Sequence, residues 1–70
     1  MTLGTKLKAL RTQRQWSQRE CARQAGVRQT LLSELESGKK HDTTGRVLRR
    51  LAETLHVSVD YLVGTQHDPL

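Results

Sequence analysis

The chain has 70 residues, of which 34% are hydrophobic, with one Trp, one Tyr and no Phe. That length allows one small domain, and its core must be mostly aliphatic. Twelve Lys and Arg against seven Asp and Glu give a net charge of +5, an excess that points first to a polyanionic partner such as nucleic acid or an anionic membrane surface. Cys21 is alone, which excludes an internal disulfide framework and fits a reducing compartment. No apolar run is long enough to span a bilayer, and the N-terminus lacks the apolar stretch of a signal peptide. A soluble, cytoplasmic protein is expected.

No strand-like alternation appears, and the one proline is Pro69. Leu3, Leu7 and Leu10 recur at i, i+4 and i+7, the stripe of an amphipathic helix running to about Gln13. Ser17-Gln18-Arg19-Glu20 reads as a capping box, with Ser17 capping a second helix and Glu20 reaching back to the Ser17 amide. This helix should run from Gln18 to Ala25 and bury Cys21, Ala22 and Ala25. Gly26 follows where a left-handed residue would end it. A third helix is expected from Gln29 to Ser37, closed by Gly38. A loop over 39–43 leads to a fourth helix with Val47, Leu48, Leu51, Ala52 and Leu55 along one side. Ser58 can cap a short fifth helix, Val59 to Val63, ended by Gly64. Residues 65–70 are expected to form a flexible tail after a domain spanning 1–64. The expected architecture is all-α, a compact five-helix domain.

The third helix is the informative one. At roughly 100° per residue, Leu32 and Leu35 face the core, flanked by Leu31 and Glu36. Thr30, Ser33, Glu34 and Ser37 point the other way, and Gln29 sits at the exposed N-terminal end. A helix lying deep in a groove needs short outer side chains, some of which can hydrogen-bond to base edges. Those are the requirements of a helix that reads the major groove. Before it, Ala22 suits a close helix crossing and Gly26 a sharp turn.

With these residues in place, positions 7 to 64 resemble the helix-turn-helix domain of the lambdoid phage repressor, Cro and Xre-like family. The resemblance rests on Arg11, Ser17-Gln18, Ala22, Gly26-Val27, Leu32, Glu36-x-Gly38-Lys39, Leu51-Ala52, Leu55 and Val59-Asp60-Tyr61-Leu62. Three positions depart from it. Gln15 stands where the family often has glycine ending the first helix, so a left-handed Gln15 would cost stability. Arg28 occupies the place of a Ser or Thr cap. Thr43 stands near a frequent proline.

The resemblance implies base contacts from Gln29 and Thr30. Gln29 suits adenine N6 and N7, and Thr30 suits a thymine methyl or an acceptor. Ser33 and Glu34 are further base-contact candidates, Glu34 by accepting from cytosine N4, although phosphates repel a carboxylate. Phosphate contacts are expected from Ser17 and Gln18 at the start of the second helix, from Arg28, and from Lys39 and Lys40 beyond the third. Ser17 also reads simply as a cap. Arg14 and Arg46 could assist, whereas a solvated charged face is the default for Arg49 and Arg50. By the same resemblance Arg11 and Glu36 form a structural ion pair between the first and third helices. Leu55, Val59, Tyr61 and Leu62 are the candidates for a dimer surface.

Cys21 reads as a packing residue rather than a redox sensor. His41, His56 and His67 share no metal-ligand spacing with it, and no nucleophile-base pair or phosphate-cradling glycine loop appears. No metal, cofactor or enzymatic activity is expected. The resemblance implies a sequence-specific transcriptional regulator of double-stranded DNA, a repressor acting as a homodimer on a palindromic operator. The alternatives are an antitoxin, which would add a partner toxin, a restriction-modification controller, or an interaction module that reuses the fold without DNA.

Overall fold

The computed structural model describes residues 2–64, which form five helices and no strand: α1 (Leu3–Gln13), α2 (Gln18–Ala25), α3 (Gln29–Ser37), α4 (Gly45–Leu55) and α5 (Val59–Val63). The expected tail over 65–70, and His67 within it, lie outside the described residues. Four helices start on a hydroxyl cap. Thr2 accepts from the Thr5 amide at 3.2 Å, Ser17 from Glu20 at 3.0 Å, Thr44 from Val47 at 3.3 Å and Ser58 from Tyr61 at 2.9 Å. Each cap satisfies an amide that the helix itself leaves unbonded. The fifth start, at Arg28, has no side-chain cap.

The capping box at Ser17 forms only by half. Instead of reaching back to Ser17, the Glu20 carboxylate takes hydrogen bonds from Arg23 Nε at 3.1 Å and Gln24 Nε2 at 2.8 Å. Donors three and four residues ahead share its helix face, and a charged one wins over a neutral amide. These bonds, Arg23's first, hold the Glu20 carboxyl below the usual carboxylate range.

The core draws on every helix: Leu7 from α1; Cys21, Ala22 and Ala25 from α2; Leu32 and Leu35 from α3; Leu51, Ala52 and Leu55 from α4; Leu62 from α5. Burying a leucine-sized side chain contributes about 1.5–3 kcal/mol, so six fully buried leucines account for much of the driving force in so small a domain. Helix α1 packs on α3 and α5, α2 on α3 and α4, and α4 on α5. Two cations fasten the ends. Lys6 Nζ donates to the Tyr61 carbonyl at 2.7 Å and lies 4.9 Å above its ring. Arg14 donates to the carbonyls of Leu10 and Leu55 while lying over Trp16. Arg14 is therefore engaged at the C-terminus of α4, where helix carbonyls lack partners, rather than free to assist in binding a phosphate.

The dimer surface expected from the sequence needs correction. Leu55 is 0% exposed and Leu62 1%, both consumed by the chain's own core. The apolar residues left outward at this end are Tyr61 and Val63, with Val59 half-buried. A five-residue helix presents one turn inward, and Leu62 occupies that position.

Gly4 carries no cap or turn signal in the sequence, yet α1 lies tight against the end of α3 there. A Cβ added to it would stand 2.1 Å from the Leu35 carbonyl oxygen. Gln15 does take the left-handed conformation, φ 59°, just past the Arg14 cap of α1, and His56 does the same directly after α4. An L-residue pays about 1–2 kcal/mol in that region, whereas glycine carries an entropic cost of about 0.5–1 kcal/mol. Gln15→Gly should accordingly raise the unfolding free energy by about 0.5–1 kcal/mol. Urea denaturation of the variant checks this, and a loss of stability would contradict it.

Candidate nucleic-acid interface

Helix α2, the turn at Gly26 and helix α3 pack against one another as one unit. Gly26 is left-handed at φ 71°, and the Val27 amide closes back onto the Ala22 carbonyl at 3.0 Å, so α2 ends in a Schellman-type turn. Arg28 then enters α3 in extended conformation. Leu32 and Leu35 face inward, with 0% and 1% exposure. Gln29, Thr30 and Ser37 are exposed, and Ser33 and Glu34 half-buried, on the opposite side.

That outer face is one wall of an open depression. It is lined by Gln29, Thr30, Ser33, Glu34 and Ser37 from α3, with Gln18 from the start of α2 and Lys39 from just past α3. The residues assigned to base edges and two of those assigned to phosphates thus converge on one surface, although they are drawn from two helices and a loop. Ser17 caps α2 with an oxygen lone pair, which leaves its hydroxyl hydrogen free to donate. Ser37 is turned to its own helix end, donating to the Glu34 carbonyl at 3.2 Å and accepting from the Lys39 amide at 3.3 Å.

Two polar links here had no signal in the sequence. Lys40 is not a free cation: its Nζ is 3.7 Å from Glu34 Oε1 and its amide bonds the Glu34 carbonyl at 3.1 Å. The carboxylate on the outer face of α3 therefore carries its own counter-charge. Gln18 is also committed, its Nε2 donating to Glu36 Oε1 at 3.0 Å.

Glu36 is the hub behind the interface. Arg11 Nε donates to its Oε2 at 2.8 Å and Arg11 Nη2 to its Oε1 at 2.9 Å, a bidentate pair, while Arg11 Nη1 reaches the Trp16 carbonyl at 2.7 Å. The Arg11 and Glu36 side chains are only 12% and 3% exposed. The hydrogen bond to Glu36 strengthens Arg11's hold on its proton, against the opposing effect of burial. One network thereby ties α1, the loop before α2, the first residue of α2 and the end of α3. Cys21 lies buried beside it. Burial first, and the Glu36 charge second, push its thiol pKa up, the direction of an unreactive packing thiol. No cluster of three metal-ligating side chains occurs among the described residues.

A helix-turn-helix family profile matches residues 7–62, from within α1 to the end of the core. The chain belongs to the helix-turn-helix family of the Cro/C1 type. It is a family of DNA-binding transcription regulators. The N-terminal DNA-binding domain of SinR from Bacillus subtilis is similar at 29% identity and a TM-score of 0.86, with 94% of this chain and 96% of that one covered. A structure of the biofilm regulator SinR in complex with DNA gives 30% identity and a TM-score of 0.83, over 87% and 97% of the two chains. The P22 c2 repressor in complex with a synthetic operator gives 25% identity and 0.84, over 97% and 98%. No curated protein matches the sequence at a significant level. Within this helix-turn-helix fold, no described helix is long and apolar enough to cross a membrane.

Proposed function

We propose that the chain is a sequence-specific regulator of double-stranded DNA, a cytoplasmic repressor that binds a palindromic operator as a homodimer. The observation that carries the reading is the outer face of α3, whose short polar side chains share one depression with Gln18 and Lys39. A helix with side chains is about 10–12 Å across, close to the roughly 12 Å width of the major groove, so a face of short side chains lets the helix lie close to the base edges. The similar SinR and P22 c2 repressor chains were solved in complex with DNA, which supports DNA as the partner.

Gln29 and Thr30 take the base edges in this reading, with Ser33 and Glu34 behind them, Glu34 steadied by Lys40. Ser17, Gln18, Arg28, Lys39 and Lys40 take phosphates. Gln18 keeps one amide hydrogen for this purpose after donating the other to Glu36. Two copies are invoked because one module of this size covers too little DNA for strong specificity, and Val59, Tyr61 and Val63 offer an apolar surface for pairing. One recognition helix per subunit would then enter successive major grooves about 34 Å apart. Binding to an operator selected from a random pool, with its half-sites moved apart by about half a helical turn, tests the dimer. Affinity should collapse toward that of a single half-site, and undiminished affinity would remove the dimer from the account.

A further inference from the structure

Helix α3 carries two carboxylates, and they have opposite situations. Glu36 is turned inward to Arg11, whereas Glu34 stands on the outer face. Glu34 lines the depression shared with Gln18 and Lys39 and also the groove on the other flank of the helix, toward α4. It therefore lies on the crest that would meet the base edges. A bare carboxylate there is a liability, because the walls of a DNA groove are rows of phosphates and like charges repel.

Lys40 is tied to Glu34 twice. Its amide donates to the Glu34 carbonyl at 3.1 Å, and its Nζ stands 3.7 Å from Glu34 Oε1. The backbone bond fixes the root of the Lys40 side chain at the end of α3, so its ammonium starts within reach of the carboxylate. Lys39, one residue earlier, differs: its amide bonds Ser37 Oγ at 3.3 Å, and it takes part in none of the three ion pairs among the described residues. The Glu34 side chain is 26% exposed, so solvent screens this pair less than a pair on open surface. An ammonium has three donors, and one turned to Glu34 leaves others for a phosphate.

We infer that Lys40 is a positioning residue for sequence reading: it neutralises and steers Glu34, whose carboxylate then accepts from a cytosine N4 amino group and sets the preference for one C·G pair per half-site. The inference rests on the proposed insertion of α3 into the major groove. Two amino groups are on offer there, cytosine N4 and adenine N6. Adenine N6 lies beside N7, an acceptor that repels a carboxylate, so cytosine is the base that suits Glu34. Lys40 itself touches no base and acts on sequence only through Glu34.

The test measures binding to the selected operator and to the set of duplexes that carry each single base-pair change. The proteins are the wild type, Glu34→Gln, Lys40→Gln and the double variant, all of which keep the backbone bond between the two positions. The wild type should favour C·G at one pair by on the order of tenfold. Glu34→Gln should move that preference to A·T, because a primary amide matches adenine N6 and N7 together. Lys40→Gln should flatten the preference at the same pair and leave the one set by Gln29 in place. In the Glu34→Gln background, Lys40→Gln should weaken all duplexes by one common factor and shift no preference, since no carboxylate is left to steer. A Lys40→Gln chain that weakens every duplex equally in the wild-type background, or a Glu34→Gln chain that alters no C·G preference, overturns the inference while leaving base reading by Gln29 intact. A wild-type chain that selects no sequence at all overturns the reading underneath it, and the inference with it.

Discussion

Replacing Glu36 with alanine should lower the unfolding free energy by about 3–5 kcal/mol. The deletion removes the acceptor of both Arg11 donors and of the Gln18 amide. It also strands a guanidinium with 12% of its side chain exposed and one carbonyl, that of Trp16, as its remaining partner. A domain of this length has a total stability of only about 3.5–10 kcal/mol, so much of the variant should be unfolded at physiological temperature. Replacing both Arg11 and Glu36 with apolar residues of similar volume should cost far less, since no charge is then left buried without a partner. Urea denaturation of the single and double variants checks both statements. A Glu36→Ala chain within about 1 kcal/mol of the parent would mean that the pair is worth no more than a surface contact.

Gly4→Ala is the second large loss expected. The added carbon would stand 2.1 Å from the Leu35 carbonyl oxygen and 3.1 Å from that of Glu36. Both atoms are backbone, so no rotamer change can relieve the overlap, and α1 must lift away from the end of α3. That movement loosens Leu7 in the core and Arg11 against Glu36. Overpacking of this kind costs about 1–3 kcal/mol and sometimes more, against about 1 kcal/mol gained because alanine favours a helix over glycine. A net loss of about 2 kcal/mol, or a fall in Tm of roughly 8–16 °C, is the expected result. A variant as stable as the parent would show that the helices do not meet at Gly4.

These two sites show what could be read in advance and what could not. The five helices were legible because the signals are local: a hydroxyl cap at Ser17 and at Ser58, a glycine after three helices, and leucines at helical spacing, whereas the caps at Thr2 and Thr44 emerged only in the structure. The outer face of α3 was legible because a stripe of Thr and Ser opposite Leu32 and Leu35 has few other uses. Gly4 carried one faint signal, a glycine inside an apolar helical stripe where alanine would be favoured, but its meaning depends on a helix distant in the sequence. The Glu34–Lys40 and Gln18–Glu36 links depend on side-chain reach across a helix end or between helices, which periodicity does not encode. Leu55 and Leu62 were misplaced at a dimer surface for a related reason: an apolar residue near a chain's end looks the same in sequence whether it faces the domain's own core or a second copy.

In the proposed complex α3 reads sequence through the first turn of its outer face, while the flanking cations hold only the backbone. Binding isotherms of the wild type, Gln29→Ala and Lys39→Ala, on the selected operator and on random duplexes over a salt series, test it most directly. Base contacts discriminate by about 1–3 kcal/mol at one position, whereas phosphate contacts act on all sequences alike. Gln29→Ala should lose operator affinity by that amount, hold its affinity for random DNA, and relax the preference at one base pair per half-site. Lys39→Ala should weaken both duplexes equally and reduce the salt slope by about 0.9 for each phosphate it ceases to neutralise. If Gln29→Ala weakened operator and random DNA equally and kept the base preference intact, α3 would not be the element that reads sequence.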